Sequence, residues 1–377
     1  MQPLLIPTDT QAAMLDALNR WLTEAWPFER RQAALATPEG VLPLWQGLAD
    51  ELGLLGAAVP DSAGGLGGGA ADQLLLMQAL GRALAGEPYL GTAVVGAGLL
   101  QRCGQGWAAD LLPALVAGHL RVALAAAEPG MRHHWQRVAS RVSVQADGRW
   151  RLDGRKTLVI GAPTATHFVA TARDADGRFH LLWVQAGADG VRRRDLRTVD
   201  GPWAAELAFD GVTGPPEAVL ASGAAAEELL ARAIDEATLA AGAEAIGVMD
   251  RLMRDTVDYL NQRRQFGVPI ASFQALQHRL ADMHLAMVQA RALVAATLPA
   301  LEAPAAERAA AVSSAHVAVA RACRAVGQGA VQLHGGMGMT DELWIGHGVK
   351  RLVMIEQQFG TVEAHLDRVA RHQALPA

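Results

Sequence analysis

The sequence predicts a multi-domain chain of α and β parts. It places an N-terminal helical domain at 1–118, a middle antiparallel β domain at 119–220 and a C-terminal four-helix-type bundle at 221–377. Three observations predict this order. Apolar residues recur at helical spacing at both ends of the chain. The six Asp-Gly dipeptides, beginning at Asp147, Asp153, Asp176, Asp189, Asp200 and Asp210, all fall in the middle. Asp-Gly supplies the positive φ angles of tight hairpin turns. No proline occurs between Pro216 and Pro269, which leaves room for one very long helix.

In the first segment Met14, Leu15, Leu18 and Leu22 fall on one helical stripe, Leu44, Leu48, Leu52 and Leu55 on another, and residues 70–85 form a third apolar helix. Between them Pro60–Gly69 reads as a turn. Gly65, Gly67 and Gly69 are spaced by two and no β-run opens into them, so this is not a dinucleotide fingerprint. In the middle segment the runs 141–145, 150–152, 167–171 and 179–184 are β-rich, as in a small sandwich or barrel. In the last segment Phe273, Leu276, Leu280, Met283, Met287, Ala290 and Val294 follow steps of 3 and 4, the seam of an antiparallel bundle. A helix at about 305–332 follows, then one carrying Ile345, Val349, Leu352 and Ile355, and a last one carrying Val362, Leu366 and Val369.

Composition excludes several classes. The 377 residues are 51% hydrophobic and 19% charged, which argues against disorder. The net charge of −5 and the lack of a basic face beyond Arg192-Arg193-Arg194 argue against a nucleic-acid partner. Those three arginines read as a solvated edge. Cys103 and Cys323 have neither CxxC spacing nor a His/Cys cluster, so no metal site and no disulfide framework is expected; both read as buried thiols. Asp9, Asp16 and Pro7 interrupt the first 22 residues, unlike a targeting peptide, and charged or amide residues interrupt every candidate membrane span. A soluble cytoplasmic protein is expected.

Two places carry chemistry. Arg263-Arg264-Gln-Phe-Gly267 ends the long helix; it offers either charge for the helix dipole or a guanidinium for a phosphate. Gln332-Leu-His-Gly-Gly-Met-Gly338 is either a plain helix stop or a place of close backbone approach to a ligand. There is no G-x-S-x-G, Walker or H-E-x-x-H motif, and the adjacent His133 and His134 cannot share one face.

The domain order resembles the acyl-CoA dehydrogenase flavoproteins. So do 263–270 followed by Phe273, Gln274 and Gln277; the run 332–339; Glu51–Gly56 with Gly64 and Gly65; Glu128-Pro129-Gly130; and Asp153-Gly-Arg-Lys156. The likeness is strongest to the small-subunit type, such as the small subunit of pimeloyl-CoA dehydrogenase, through 350–356 and Phe359-Gly360. The resemblance implies an FAD held between two subunits, an acyl-CoA substrate and electron transfer to an electron-transferring flavoprotein. It assigns Arg263, with Phe266 beside it, and Gln332, Gly335 and Gly336 to the nucleotide half of the cofactor, and Thr361 to its phosphates or flavin.

The chain departs from the family at the flavin ring. Ala127 stands for a Thr, His133 for a Ser, and Leu158-Val159-Ile160 for Trp-Ile-Thr. Phe359 stands where the base is usually a Glu. The alternative base place on the long helix holds Ala237, with Thr238 for the neighbouring Arg. A carboxylate must reach the substrate's α-proton. Three readings follow. In the first, the chain is the subunit without the usual base in a heterotetramer with an acyl-CoA dehydrogenase-like partner. In the second, it is a self-sufficient homo-oligomeric enzyme with a relocated base, for which Glu356, Glu244 and Glu236 are the candidates. In the third, it is a non-catalytic acyl-CoA-binding or structural paralogue.

Overall fold

A computed structural model describes residues 3–131 and 134–372. His133, and with it the His133–His134 pair, lies outside the described residues. Seven helices come first: α1 Asp9–Ala25, α2 Phe28–Ala34, α3 Leu42–Asp50, α4 Ala70–Arg82, α5 Ala97–Arg102, α6 Gly106–Ala109 and α7 Leu112–Val116. A π-helical stretch, Leu90–Gly96, runs straight into α5. Eight strands follow: β1 Val122–Ala125, β2 Arg141–Val144, β3 Trp150–Ile160, β4 His167–Arg173, β5 Phe179–Gln185, β6 Val191–Arg197, β7 Trp203–Gly214 and β8 Val219–Ser222. The last part holds α8 Ala224–Gln262, a two-residue hairpin of β9 Arg264–Gln265 and β10 Val268–Pro269, then α9 Gln274–Thr297, α10 Ala305–His334, α11 Trp344–Gln357 and α12 Val362–His372.

The chain divides into two compact units. The β unit comprises Glu29–Asp72 and Glu87–Ala237. Its sheet runs β6-β7-β3-β2-β4-β5-β8, with β1 beside β4. It is antiparallel except that β1 pairs parallel with β4 (Val122 opposite His167) and β2 meets β4 at one parallel pair. Trp150, Leu152, Phe168, Leu182 and Phe209 fill the core. The expected arginine edge is there: β6 is an edge strand, with Arg192 paired to Asp210 and Arg194 to Glu206, a charge pattern that discourages edge-to-edge pairing. Helical residues tie in through Trp45, whose Nε1 donates to the Gly118 carbonyl at 2.8 Å, and Tyr89, whose hydroxyl donates to that of Leu54 at 3.1 Å.

The helical unit comprises Met1–Phe28, Gln73–Gly86 and Thr238–Ala377. Thr8 caps α1 through a reciprocal bond with Gln11. Here α4 crosses α8 with almost no space: a Cβ on Gly81 would lie 2.2 Å from the Glu244 carbonyl oxygen, and one on Gly247 2.0 Å from that of Gln78. Helix α10 is central and packs on α9, α11 and α12. The α9 seam is buried only from Met283 onward, through Met287, Ala290 and Val294; Leu276 and Leu280 are half-buried and Phe273 is exposed.

Three expectations change. On α12 the buried residue is His365, and Leu366 is exposed, because α10 receives the histidine face. Cys103 is only half-buried, whereas Cys323 is buried. The stretch Gln274–Glu302 is, by length and composition, long and apolar enough to cross a membrane. It nevertheless carries the buried Arg291, which pairs with Asp250 of α8 at 2.5 Å.

Candidate functional site

The residues that the resemblance assigns to the nucleotide half lie in the helical unit. Arg263 follows the last turn of α8. Its side chain is exposed and has no partner among the described residues. Phe266 and Gly267 form the loop of the β9–β10 hairpin, with φ of 52° and 81°. Two positive φ values suit a type I′ turn, but the first is unusual for a bulky side chain. Phe266 is 92% exposed, with only an edge contact to Phe273, ring centroids 6.1 Å apart.

The second motif ends α10. Gly335 caps the helix with φ 59°, its N–H donating to the Gln332 carbonyl. A Cβ on either Gly335 or Gly336 would meet nothing within 4 Å, and the Gln332 side chain is exposed. The two motifs are joined through Tyr259, one turn before Arg263, and His334, which lies within the second run. Tyr259 of α8 stacks on His334 of α10 at 4.4 Å and donates to its carbonyl at 3.4 Å. The fold therefore brings an unpaired guanidinium and an open glycine turn to the same end of α8 and α10. Thr361 stands at a helix start, as expected of it. It precedes α12, and its Oγ1 accepts the Ala364 N–H at 3.3 Å.

The three candidate carboxylates are all held by arginines. Glu244 is buried and paired bidentately with Arg351 of α11, both bonds 2.7 Å. The backbone of Gly86 closes over it, for a Cβ there would lie 2.4 Å from its Oε1. Glu356, buried on α11, accepts from Arg324 and from Gln357. Its carbonyl faces His316 at 3.3 Å. In the β unit Glu236 accepts from Arg102 at 2.8 Å and from Arg232 at 3.1 Å. Phe359 is half-buried at φ 65° in the turn between α11 and α12. Ala237 is fully buried, as is Thr238.

The ring-side positions belong to the β unit. Glu128 is the centre of a closed buried network. Its carboxylate accepts from Lys156 at 2.6 Å, from the Ser140 hydroxyl and N–H at 2.7 and 3.1 Å, and from the Ala139 N–H at 2.6 Å. Lys156 also donates to the carbonyl and hydroxyl of Thr171, both at 2.7 Å. Burial alone would raise the Glu128 carboxyl, but the Lys156 ammonium and the donors from Ser140 and Ala139 outweigh it and hold it below the usual range. The network fixes the loop at Glu128-Pro129-Gly130. Ser140 and Thr171 carry no signal in the sequence; only strand pairing brings them here. Around this frame Ala127 and Leu158-Val159-Ile160 present no side-chain donor or acceptor. Leu158 sits in a bulge of β3 against β7, at φ 49° and 47% exposed.

Comparison with known proteins defines the class. Three family models match in sequence order: the acyl-CoA dehydrogenase N-terminal domain over residues 8–119, its middle domain over 123–212 and its C-terminal domain over 228–374. The chain belongs to the acyl-CoA dehydrogenase family, FAD-binding oxidoreductases acting on the CH–CH bond of acyl-CoA thioesters. It is 31% identical to acyl-CoA dehydrogenase FadE27 of Mycobacterium tuberculosis over 350 residues, 88% of each chain. It is also 31% identical to benzylmalonyl-CoA dehydrogenase of Aromatoleum aromaticum, over 76% of this chain and 78% of that one. Among solved structures, the ChsE4–ChsE5 complex of M. tuberculosis superposes with a TM-score of 0.88 at 26% identity, covering 99% of each chain.

The residues present fit one half of the cofactor. A free guanidinium and an uncrowded glycine turn suit a diphosphate. Among the described ring-side positions, Ala127 and Leu158-Val159-Ile160 lack the polar side chains a flavin ring would use.

Proposed function

We propose that this chain is the subunit without the usual base in a heteromeric FAD-dependent acyl-CoA dehydrogenase, of the small-subunit type seen in pimeloyl-CoA dehydrogenase. The observation that carries the reading is Phe266. A phenylalanine 92% exposed at positive φ gains only the edge contact with Phe273 in an isolated chain; such strain is kept where another contact needs it. Beside it stands Arg263, exposed and unpaired. These residues, with Gln332, Gly335 and Gly336, would hold the pyrophosphate and adenosine half of an FAD whose ring lies against an acyl-CoA dehydrogenase-like partner. The ChsE4–ChsE5 complex, a pair of differently named chains, supports such an assembly.

An FAD held by these residues would supply the acceptor for a hydride from the β-carbon of the acyl thioester. This chain's part is to fix the diphosphate by charge and close backbone approach. The partner supplies the carboxylate, because Phe359 and Ala237 accept no proton and Glu244, Glu356 and Glu236 are each engaged by arginine. The outer face of α9, with Leu285 58% exposed near Val288 and Leu293, supports oligomerisation through the bundle. Electrons would leave to an electron-transferring flavoprotein, and the expected compartment is the cytoplasm.

The test is FAD per protomer with native mass on the same sample. The chain purified alone should hold little FAD. Co-expressed with its partner, it should give one FAD per heterodimer, bleached by an acyl-CoA. One FAD per protomer in the pure homo-oligomer, reduced by substrate, would overturn the proposal in favour of a self-sufficient enzyme.

A further inference from the structure

A second constellation lies in the β unit and uses none of the residues assigned above. Asp174, in the turn between β4 and β5, has its Oδ1 held by the backbone N–H groups of Asp176 at 3.0 Å and Arg178 at 2.9 Å. Its Oδ2 faces His180 Nε2 at 2.9 Å. On the other side of the ring, His180 Nδ1 faces the Ser222 hydroxyl at 2.8 Å. His180 and Ser222 are direct cross-strand partners in the β5–β8 pairing, so the sheet register holds this contact. All three side chains are half-buried and reachable from solvent.

The partners settle the protons. An ionised carboxylate only accepts, so His180 carries a hydrogen on Nε2, and in the neutral ring Nδ1 is then the acceptor for the Ser222 hydroxyl. The bond from His180, with those from Arg178 and Asp176, holds the Asp174 carboxyl below its usual range. The ring is used in the opposite sense to the common serine-hydrolase order, with serine on Nδ1. The relay needs only one nitrogen that accepts and one that donates.

The setting supplies the other requirement. Ser222 ends β8, Gly223 turns at φ 65°, and α8 begins at Ala224, a strand–turn–helix order like that of nucleophile elbows. The N–H groups of Ala226 and Glu227 both return to the Gly223 carbonyl at 3.1 Å, and Gly223 donates to Phe179. Those of Ala224 and Ala225, both exposed residues, have no acceptor among the described residues. Free N–H groups at the start of a 39-residue helix suit a developing oxyanion. Arg178 adds positive charge: its Nε would lie 3.3 Å from a Cβ on Gly223.

We propose that Ser222, His180 and Asp174 form a nucleophilic acyl-transfer site that hydrolyses activated acyl esters or thioesters. Ser222 Oγ bonds to the acyl carbon as His180 Nδ1 takes the hydroxyl proton. The bond from that carbon to the leaving oxygen or sulfur breaks, and His180 returns the proton to the leaving group. Water, deprotonated by His180, then cleaves the acyl-serine to a carboxylic acid and restores the hydroxyl. No electron carrier is involved, so the site works with or without FAD.

The experiment treats the full-length chain with a fluorophosphonate and maps the adduct by peptide mass. It then follows hydrolysis of p-nitrophenyl acetate and of S-phenyl thioacetate. A phosphonyl adduct on Ser222, with turnover lowered about 10³-fold in Ser222→Ala and at least tenfold in Asp174→Asn, is expected. An unlabelled Ser222 in the native chain overturns the proposal, whatever the variants' stability. So does hydrolysis within twofold of the original in Ser222→Ala; the contact would then be a cross-strand bond that only holds β8 to β5.

Discussion

Lys156 and Glu128 show how much one buried pair decides. Lys156→Met should leave an uncompensated carboxylate among apolar strands and cost about 3–5 kcal/mol, read as a lower urea midpoint at unchanged slope. Because the folded carboxyl of Glu128 is depressed, its contribution to stability is present above the unfolded value of 4.5 and is lost as pH falls through the folded one. The gap in unfolding free energy between the native chain and Glu128→Gln should therefore shrink on acidification below that value. Arg263 makes the contrasting case. It is exposed and unpaired, so Arg263→Ala should leave the melting temperature nearly unchanged. In the co-expressed complex the same change should weaken FAD by about tenfold or more, the loss of a charge-assisted bond. The Arg263 and Gln-x-x-Gly-Gly motifs were legible in the sequence because each is a contiguous run. The pairing of Glu128 with Lys156, 28 residues apart, was not.

At the scale of elements, the crossing of α4 and α8 depends on two absent side chains. Alanine is the better helix former by about 1 kcal/mol. Yet Gly81→Ala or Gly247→Ala would push a methyl group to within 2.2 or 2.0 Å of a facing carbonyl oxygen. Overpacking of about 1–3 kcal/mol or more should win, so both variants should melt lower. An alanine at Gly336, where space is open, should not. Helix α8 itself was legible: an uninterrupted stretch without proline gave its length, and the structure runs it from Ala224 to Gln262. The helical period was less reliable on α12. Val362, Leu366 and Val369 share a stripe, but α12 turns His365 inward, where its ring lies tilted against that of His316, centroids 4.1 Å apart, and bonds Ser313 at 3.0 Å. A stripe of three apolar residues competes poorly with a histidine that finds both a ring and a hydroxyl.

For the whole molecule, assembly is the property that separates the functional readings. Leu285 and Val288 lie one turn apart on the outer side of α9 and contribute little to this chain's own core. Replacing both by Glu should lower the native mass of the complex and release FAD, with little change in the unfolding free energy of the separated chain. An unchanged assembly would place the subunit contact elsewhere. The three-part α, β, α order was determined by the sequence alone, because turn chemistry and apolar period are local properties that each segment expresses by itself. The loss of polar groups at 127, 158–160, 237 and 359 was equally plain, since identity at a position needs no coordinates. What only the tertiary structure decided is which distant groups meet. Glu244 and Arg351 are 107 residues apart. Ser222 and His180, 42 apart, meet through one strand register. Hydrogen bonds and ion pairs act over about 3 Å, and the chain conformation that closes such distances is set by the packing of whole elements, which no local pattern encodes.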